Sequence, residues 1–391
     1  MIIGVPAESF PGERRVALVP AAVPALVAAG HEVLVERGAG DGIGCADALY
    51  ADRGARTGAT RAEVFAAADA LVQVLGPGAN DRTGRDDLPL LRPGQALIAF
   101  QRPLGDPRTV DEIARTGAIA FAVDLMPRIT RAQSMDALSS MATVAGFKAV
   151  VLAAAVLPRL FPMLTTAAGT IPPARVFVIG AGVSGLQAIA TARRLGAAVS
   201  GYDIRPAASE QIRSLGARAV ELPIEAAEAE DRQGYARPQD EAFHERQRQL
   251  LAGTVARSDV VVTTAATPGR RAPVLVTADM VKSMPWGAVI VDLAAEQGGN
   301  CELTRPDQTI VEHGVTIIGT VNLAATVPGH ASQMYARNVS AFLLHLVAGG
   351  SLRLDPGDEI VRETLLTRDG EVVHPRVRAA LGLPEQGGRA A

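Results

Sequence analysis

Arg175-Val176-Phe177-Val178-Ile179-Gly180-Ala181-Gly182-Val183-Ser184-Gly185 runs from a β-branched apolar segment straight into three glycines spaced as GxGxxG, and a helix-forming stretch, 186–195, follows. A lone GxGxxG is weak, because glycines cluster in turns. Between a strand and a helix it has a physical meaning: a tight turn, close approach of backbone to a pyrophosphate, and close packing of helix on strand. The helix start then offers free N–H groups and a partial positive charge to phosphate oxygens. Asp203 stands at the end of the next apolar run, about 20 residues on, where a carboxylate takes the ribose hydroxyls of the adenosine half. A negative charge there favours NAD over NADP, although Arg205, two residues later, is placed to neutralise a 2′-phosphate.

Outward from this turn, strand candidates recur at 175–180, 198–203, 217–221, 259–264, 288–293 and 315–319, separated by helical stretches. Six strands with crossing helices make a complete Rossmann domain. Upstream, a second alternating series is read at 2–5, 32–36, 70–75, 96–100 and 119–122, with a helix at 21–29. Strands alternating with helices imply parallel sheets, so the fold class is α/β with two Rossmann-like domains joined by long helices around a cleft. A helical stretch over 134–160 links the domains, and a helix at 332–346 returns the chain to the first. The expected domains are 1–138 with 326–391, and 139–325. The tail at 358–373 has strand-like alternation. The polar connection at 225–249 reads as exposed helix or a mobile functional loop.

Composition narrows the function classes. The chain has 391 residues, 48% of them apolar and 20% charged, and a net charge of −3, which gives no sign of a nucleic-acid partner. No uninterrupted apolar run reaches the ~18 residues of a membrane span, so direct membrane insertion is not expected. The two cysteines, Cys45 and Cys301, lie far apart in no CxxC spacing, as buried thiols of a reducing cytoplasm would. The histidines are scattered without metal spacing, and no metal is expected. Lysines occur only at 148 and 282, so a mechanism needing a catalytic lysine has two candidates.

Pro127-Arg128-Ile129-Thr130-Arg131-Ala132-Gln133-Ser134-Met135-Asp136 closely resembles the signature of the NAD(H)-binding component of proton-translocating nicotinamide nucleotide transhydrogenases. Thr166-Ala167-Ala168-Gly169-Thr170-Ile171-Pro172-Pro173-Ala174, Asp292-Leu293-Ala294-Ala295-Glu296 and Gly298-Gly299-Asn300-Cys301 match the same family, and the resemblance covers essentially the whole chain. It implies an NAD(H)-binding subunit that passes hydride directly to or from NADP(H) on a partner subunit. Protons would cross through a separate membrane subunit. It further implies a homodimer, peripheral on the cytoplasmic face of the inner membrane, in the split form whose other domains are separate chains.

The resemblance also carries site residues. Arg128, Gln133 and Asp136 would orient the nicotinamide and its ribose, with Ile129, Thr130 and Ser139 adding contacts. Gln133 offers donor and acceptor, Arg128 a planar fork, and Asp136 a carboxylate able to pair with that fork. Gly180, Gly182, Val183 and Gly185 would hold the pyrophosphate and Asp203, Ile204 and Arg205 the adenosine ribose, with Thr264 and Ala265 as further cofactor-binding residues. Gly234 and Tyr235 would belong to a loop that closes over bound nucleotide. Where the family usually has tyrosine after Ala-Gly, this chain has Phe147.

Two other readings compete. Alanine dehydrogenases share the fold and the run at 12–18, but need a lysine and a histidine in the first domain. Leu71-Val72-Gln73-Val74-Leu75 and Phe100-Gln101-Arg102 hold neither. A non-catalytic NAD(H) sensor would be separated from a transhydrogenase subunit by whether turnover depends on an NADP(H)-binding partner.

Overall fold

Near-continuous apolar runs such as Val260–Thr263 and Val289–Asp292 are buried at every residue, the signature of strands covered on both faces. In the computed structural model, which describes residues 1–221, 240–267 and 269–384, these runs assemble into two separate sheets. The chain divides into two compact units, Met1–Met141 with Ala325–Ala391, and Ala142–Ala324.

The first unit holds β1 (Ile2–Val5), β2 (Glu32–Glu36), β3 (Arg56–Ala59), β4 (Ala70–Leu75), β5 (Ala96–Phe100) and β6 (Ile119–Ala122). They lie in the order β3-β2-β1-β4-β5-β6 with every pairing parallel. The C-terminal segment completes this unit beside β6. Leu365 bridges Phe121, and Thr367 Oγ1 accepts from Ala120 N at 2.9 Å while donating to Ala118 O at 2.8 Å. Here the expectation of strand over 358–373 is corrected. The segment opens with a helix, Glu359–Thr364, before a short hairpin of Thr367–Arg368 and Glu371–Val372. Asp358 is the reason, because its side chain caps that helix by accepting from Ile360 N, an interaction that stabilises a helix start by ~1 kcal/mol.

In the second unit an exposed hairpin, β7 (Leu164–Thr166) with β8 (Gly169–Ile171), precedes the main sheet. That sheet contains β9 (Arg175–Ile179), β10 (Ala198–Tyr202), β11 (Arg218–Ala219), β12 (Val260–Thr263), β13 (Val289–Asp292), β14 (Thr309–Glu312) and β15 (Val315–Ile318). Its order is β11-β10-β9-β12-β13-β15-β14, parallel except for β14 against β15. Both sheets thus reverse direction of growth beside their first strand, at β1/β4 and at β9/β12. Ligands of open α/β sheets bind at that point, beyond the carboxyl ends of the strands.

The helix Ala137–Val156 is long and apolar enough to cross a membrane by length and composition. Its Ala149, Val150 and Ala153 lie instead in the core of the second unit, with Val176, Val178 and Val262 of the sheet. Each methylene buried there contributes ~0.8 kcal/mol, but only a third of the helix's apolar stretch is buried, and Phe147 and Val156 stand exposed.

Candidate functional site

The turn after β9 is built by three glycines with different reasons to be glycine. Gly180 has φ +98°, and a Cβ placed on it would lie 2.5 Å from Thr264 Oγ1. A Cβ on Gly185 would collide with the Gly180 carbonyl oxygen. A Cβ on Gly182 would meet no protein atom within 4 Å. The protein's own packing therefore demands the first and third glycines, while the second leaves bare backbone facing open space. Gly182 is also the N-cap of the helix Val183–Arg194 and makes no side-chain cap. The first-turn N–H groups of that helix lie outside its own hydrogen-bond ladder, and they point where an anion would be received. These features fit a dinucleotide pyrophosphate.

Asp203 follows β10 and sits beside this turn. Its carboxylate accepts from Ala181 N at 2.7 Å and from Arg205 N at 2.8 Å. Arg205 is also forked onto it, Nε to Oδ1 at 2.9 Å and Nη2 to Oδ2 at 3.0 Å, and Nη2 reaches the Ala181 carbonyl at 3.3 Å. The sequence reading treats Asp203 and Arg205 as separate contacts, whereas the structure makes them one unit; the Asp-x-Arg spacing was the available signal. Ile204, between them, is half-buried. Across the turn, Thr264 donates from N to Ile179 O at 2.8 Å and from Oγ1 to Gly180 O at 3.0 Å. Ala265 N donates to Asn300 Oδ1 at 2.9 Å. Gly180, Gly182, Val183, Gly185, Asp203, Arg205, Thr264 and Ala265 are therefore gathered at the carboxyl end of one sheet. Gly234 and Tyr235 lie outside the described residues.

The run at 128–139 belongs to the first unit up to Ser139. Thr130–Met135 forms a short 3-10 helix, with Ala132 and Met135 buried and Arg128, Thr130 and Gln133 exposed; Ile129 is half-buried. Two contacts hold the loop in place. Asn338 Nδ2 donates to Ser134 O at 2.9 Å, and Arg131 pairs with Asp358 at 2.9 Å, which His345 Nε2 meets from the other side at 2.6 Å. Asp136 uses both carboxylate oxygens on Ser139, taking its N–H at 2.8 Å and its hydroxyl at 2.5 Å. Together they cap the helix Ala137–Val156, a structural task that the sequence reading did not assign to them.

The first unit repeats the strand order of the second but fills its switch point with its own side chains. Glu8, after β1, accepts from Val74 N at 2.6 Å and Leu75 N at 3.0 Å at the end of β4. Desolvation, with Glu13 nearby, pushes the Glu8 carboxyl up to about 8. Arg61 donates to Ala7 O at 2.6 Å and is forked onto Asp87 at 2.7 and 2.6 Å. Gln73 Nε2 reaches Asp87 at 3.1 Å, and Tyr335 OH donates to Gln73 O at 2.7 Å. The corresponding turn, Val5-Pro6-Ala7-Glu8, has no glycine to bare its backbone. Of the two topologically equivalent crevices, the second has the glycine turn and a helix start with bare backbone. Among the described residues no cluster of three or more His, Cys, Asp or Glu is placed to hold a metal ion.

Comparison with known proteins identifies the family. Residues 4–145 match the alanine dehydrogenase/PNT N-terminal domain and residues 149–375 the alanine dehydrogenase/PNT C-terminal domain. The chain is 43% identical over 378 residues to an NAD(P) transhydrogenase subunit alpha chain of Rhodospirillum rubrum, covering 96% of this chain and 98% of that one. Among solved structures, a transhydrogenase from Sinorhizobium meliloti superposes with a TM-score of 0.82 at 42% identity, covering 96% of this chain and 99% of that one. An L-alanine dehydrogenase superposes with a TM-score of 0.81 at 27% identity, covering 98% and 99%. The chain belongs to the alanine dehydrogenase/PNT family and, within it, stands with the alpha subunits of NAD(P) transhydrogenases.

Proposed function

We propose that this chain holds NAD(H) on its second unit and presents the nicotinamide for direct hydride transfer to and from NADP(H) on a partner subunit. Proton translocation is left to a separate membrane subunit, and the chain works as a homodimer, peripheral on the cytoplasmic face. The observation that carries this reading is the turn at 180–185, where Gly182 bares backbone at a helix start beside the Asp203 carboxylate. The transhydrogenase names of similar proteins supply the reaction class.

In this reading Gly180, Gly182, Val183 and Gly185 hold the pyrophosphate, Asp203 with Ile204 and Arg205 faces the adenosine ribose, and Thr264 and Ala265 form the opposite wall. Gln133, Arg128 and Asp136, with Ile129, Thr130 and Ser139, orient the nicotinamide end. When bound, the dihydronicotinamide supplies the hydride. The chain's residues contribute position alone, and holding two reactants in an attack geometry is by itself worth many orders of magnitude in rate. The domain limits that go with this reading are 1–138 with 326–391, and 139–325.

The test is reduction of an NAD⁺ analogue by NADPH, with and without an NADP(H)-binding transhydrogenase subunit. Transfer only in the mixture supports presentation across an interface. Absence of transfer despite NADH binding and complex formation would leave a sensor as the better description.

A further inference from the structure

The loop after β13 forms a buried polar knot. Asp292, fully buried, accepts from Ala294 N at 3.0 Å, Asn300 N at 2.8 Å, Cys301 N at 3.0 Å and Thr304 Oγ1 at 2.7 Å. Such a carboxylate is not placed to react with a ligand. Its four donors fix the chain reversal that delivers Asn300.

Asn300 is itself fully buried, and its amide is used like a peptide group. Oδ1 accepts from Ala265 N at 2.9 Å, while Nδ2 donates to Ala265 O at 2.8 Å and to Pro273 O at 2.8 Å. Its own carbonyl accepts from Leu275 N at 2.8 Å and Val276 N at 3.0 Å. The segment leaving β12 is therefore clipped at both ends by one residue. At its near end that segment is Thr264, whose hydroxyl holds the Gly180 carbonyl at 3.0 Å. A continuous set of hydrogen bonds runs from Asp292 through Asn300 and Ala265–Thr264 to the first glycine of the turn.

We propose that Asn300 is a positioning residue for the dinucleotide site: through Ala265 and Thr264 it sets the wall facing the turn at 180–185, without touching nucleotide. The inference rests on the reading of that turn as the NAD(H) site. Only an amide can accept from one N–H and donate to two carbonyls at once. In Asn300→Asp a carboxylate would face the Ala265 and Pro273 carbonyl oxygens, and the segment would be pushed away. Protonation restores one donor, so this variant converts a flat binding profile into a pH-dependent one.

The experiment is titration of NADH fluorescence with wild type, Asn300→Ala, Asn300→Asp and a control, Val255→Ala. Val255 is a fully buried position in the apolar cluster that Ile179 and Ala265 also join, so its truncation reports what general loosening of that core does to binding. The expected result is NADH binding weakened roughly tenfold or more in Asn300→Ala. Asn300→Asp should bind weakly at pH 8 and recover towards pH 5.5, while Val255→Ala, despite its lowered Tm, binds as wild type does. Unchanged binding in both Asn300 variants, or an equal loss in the control, overturns the proposal while leaving the site standing. A wild-type chain that fails to bind NADH overturns both.

Discussion

The Arg205 guanidinium is forked onto the Asp203 carboxylate, with Nε–Oδ1 at 2.9 Å and Nη2–Oδ2 at 3.0 Å, and the pair is mostly buried at 16% and 7% exposure. Bidentate arginine–carboxylate pairs are among the strongest hydrogen-bonded pairs, and they largely cancel the carboxylate's field. A bare carboxylate at the ribose position repels a 2′-phosphate. A carboxylate already carrying a guanidinium repels it less. Arg205 is thus expected to lower, not raise, the discrimination that Asp203 alone would impose.

Arg205→Ala should widen the preference for NADH over NADPH, by several-fold, because it uncovers a negative charge. Asp203→Ala should narrow it, since the guanidinium is then left to meet a 2′-phosphate. Dissociation constants for both nucleotides, measured on both variants at fixed ionic strength, check the pair. Ratios that stay at the wild-type value in both would remove Asp203 and Arg205 from the ribose site.

Gln133 stands exposed on a loop held by contacts that do not pass through its side chain, Asn338 to Ser134 O and Arg131 to Asp358. Gln133→Ala should leave the loop in place and remove one orienting amide. The expected outcome is a fall in the rate of hydride transfer of roughly 10- to 100-fold, with NADH affinity changed only a few-fold. Single-turnover transfer beside equilibrium binding separates the two. Comparable losses in both would show that Gln133 binds and does not orient.

What could be read from residues alone follows how each element is buried. Buried parallel strands such as β5 and β12 announce themselves as apolar runs. The edge strands β6 and β11 are read as well, whereas Arg-Thr-Gly-Ala of β3 and the half-exposed Thr-Ile-Val-Glu of β14, at the opposite edges, lack a long apolar run and escape the sequence reading. The segment at 358–373 misleads for another reason. Ile360 and Val361 are β-branched neighbours that read as strand, yet they lie in a helix whose start the Asp358 side chain caps. In the candidate site, the glycine turn and the Asp203 beside it are local patterns, so their juxtaposition could be read from sequence. Asn338, which braces the loop at 130–135 through Ser134 from 204 residues away, leaves no trace in local sequence.

Gly146 lies where the helix Ala137–Val156 crosses the start of the helix Val183–Arg194, and a Cβ there would collide with the Ser184 carbonyl oxygen. The obstacle is backbone, so it cannot rotate away. Gly146→Ala should force the two helices apart, at a cost of about 1–3 kcal/mol, and tilt the helix start that would receive the pyrophosphate. Lower Tm together with weaker NADH binding is expected. A variant that loses stability with wild-type affinity would show that the helix start moves as a rigid part of the turn.

His374 supplies a pH dependence whose sign can be fixed. It is 2% exposed, and desolvation, with Arg376 alongside, holds its imidazole down at about 4. The ordinary value is 6.5, so between the two pH values the unfolded chain binds a proton that the folded chain refuses, and stability rises with pH. The contribution is fully present above about pH 6.5 and is lost as pH falls towards 4, on the order of 3 kcal/mol in all. Glu8, held up at about 8, contributes in the opposite sense over this range, so the His374 term is read as the difference between wild type and His374→Leu in urea unfolding at pH 7.5, 6 and 5. His374→Leu removes the titrating group; whatever it costs in lost contacts, its stability should fall less steeply with acid, by up to one proton. Parallel slopes in the two proteins would mean that His374 does not resist protonation in the fold.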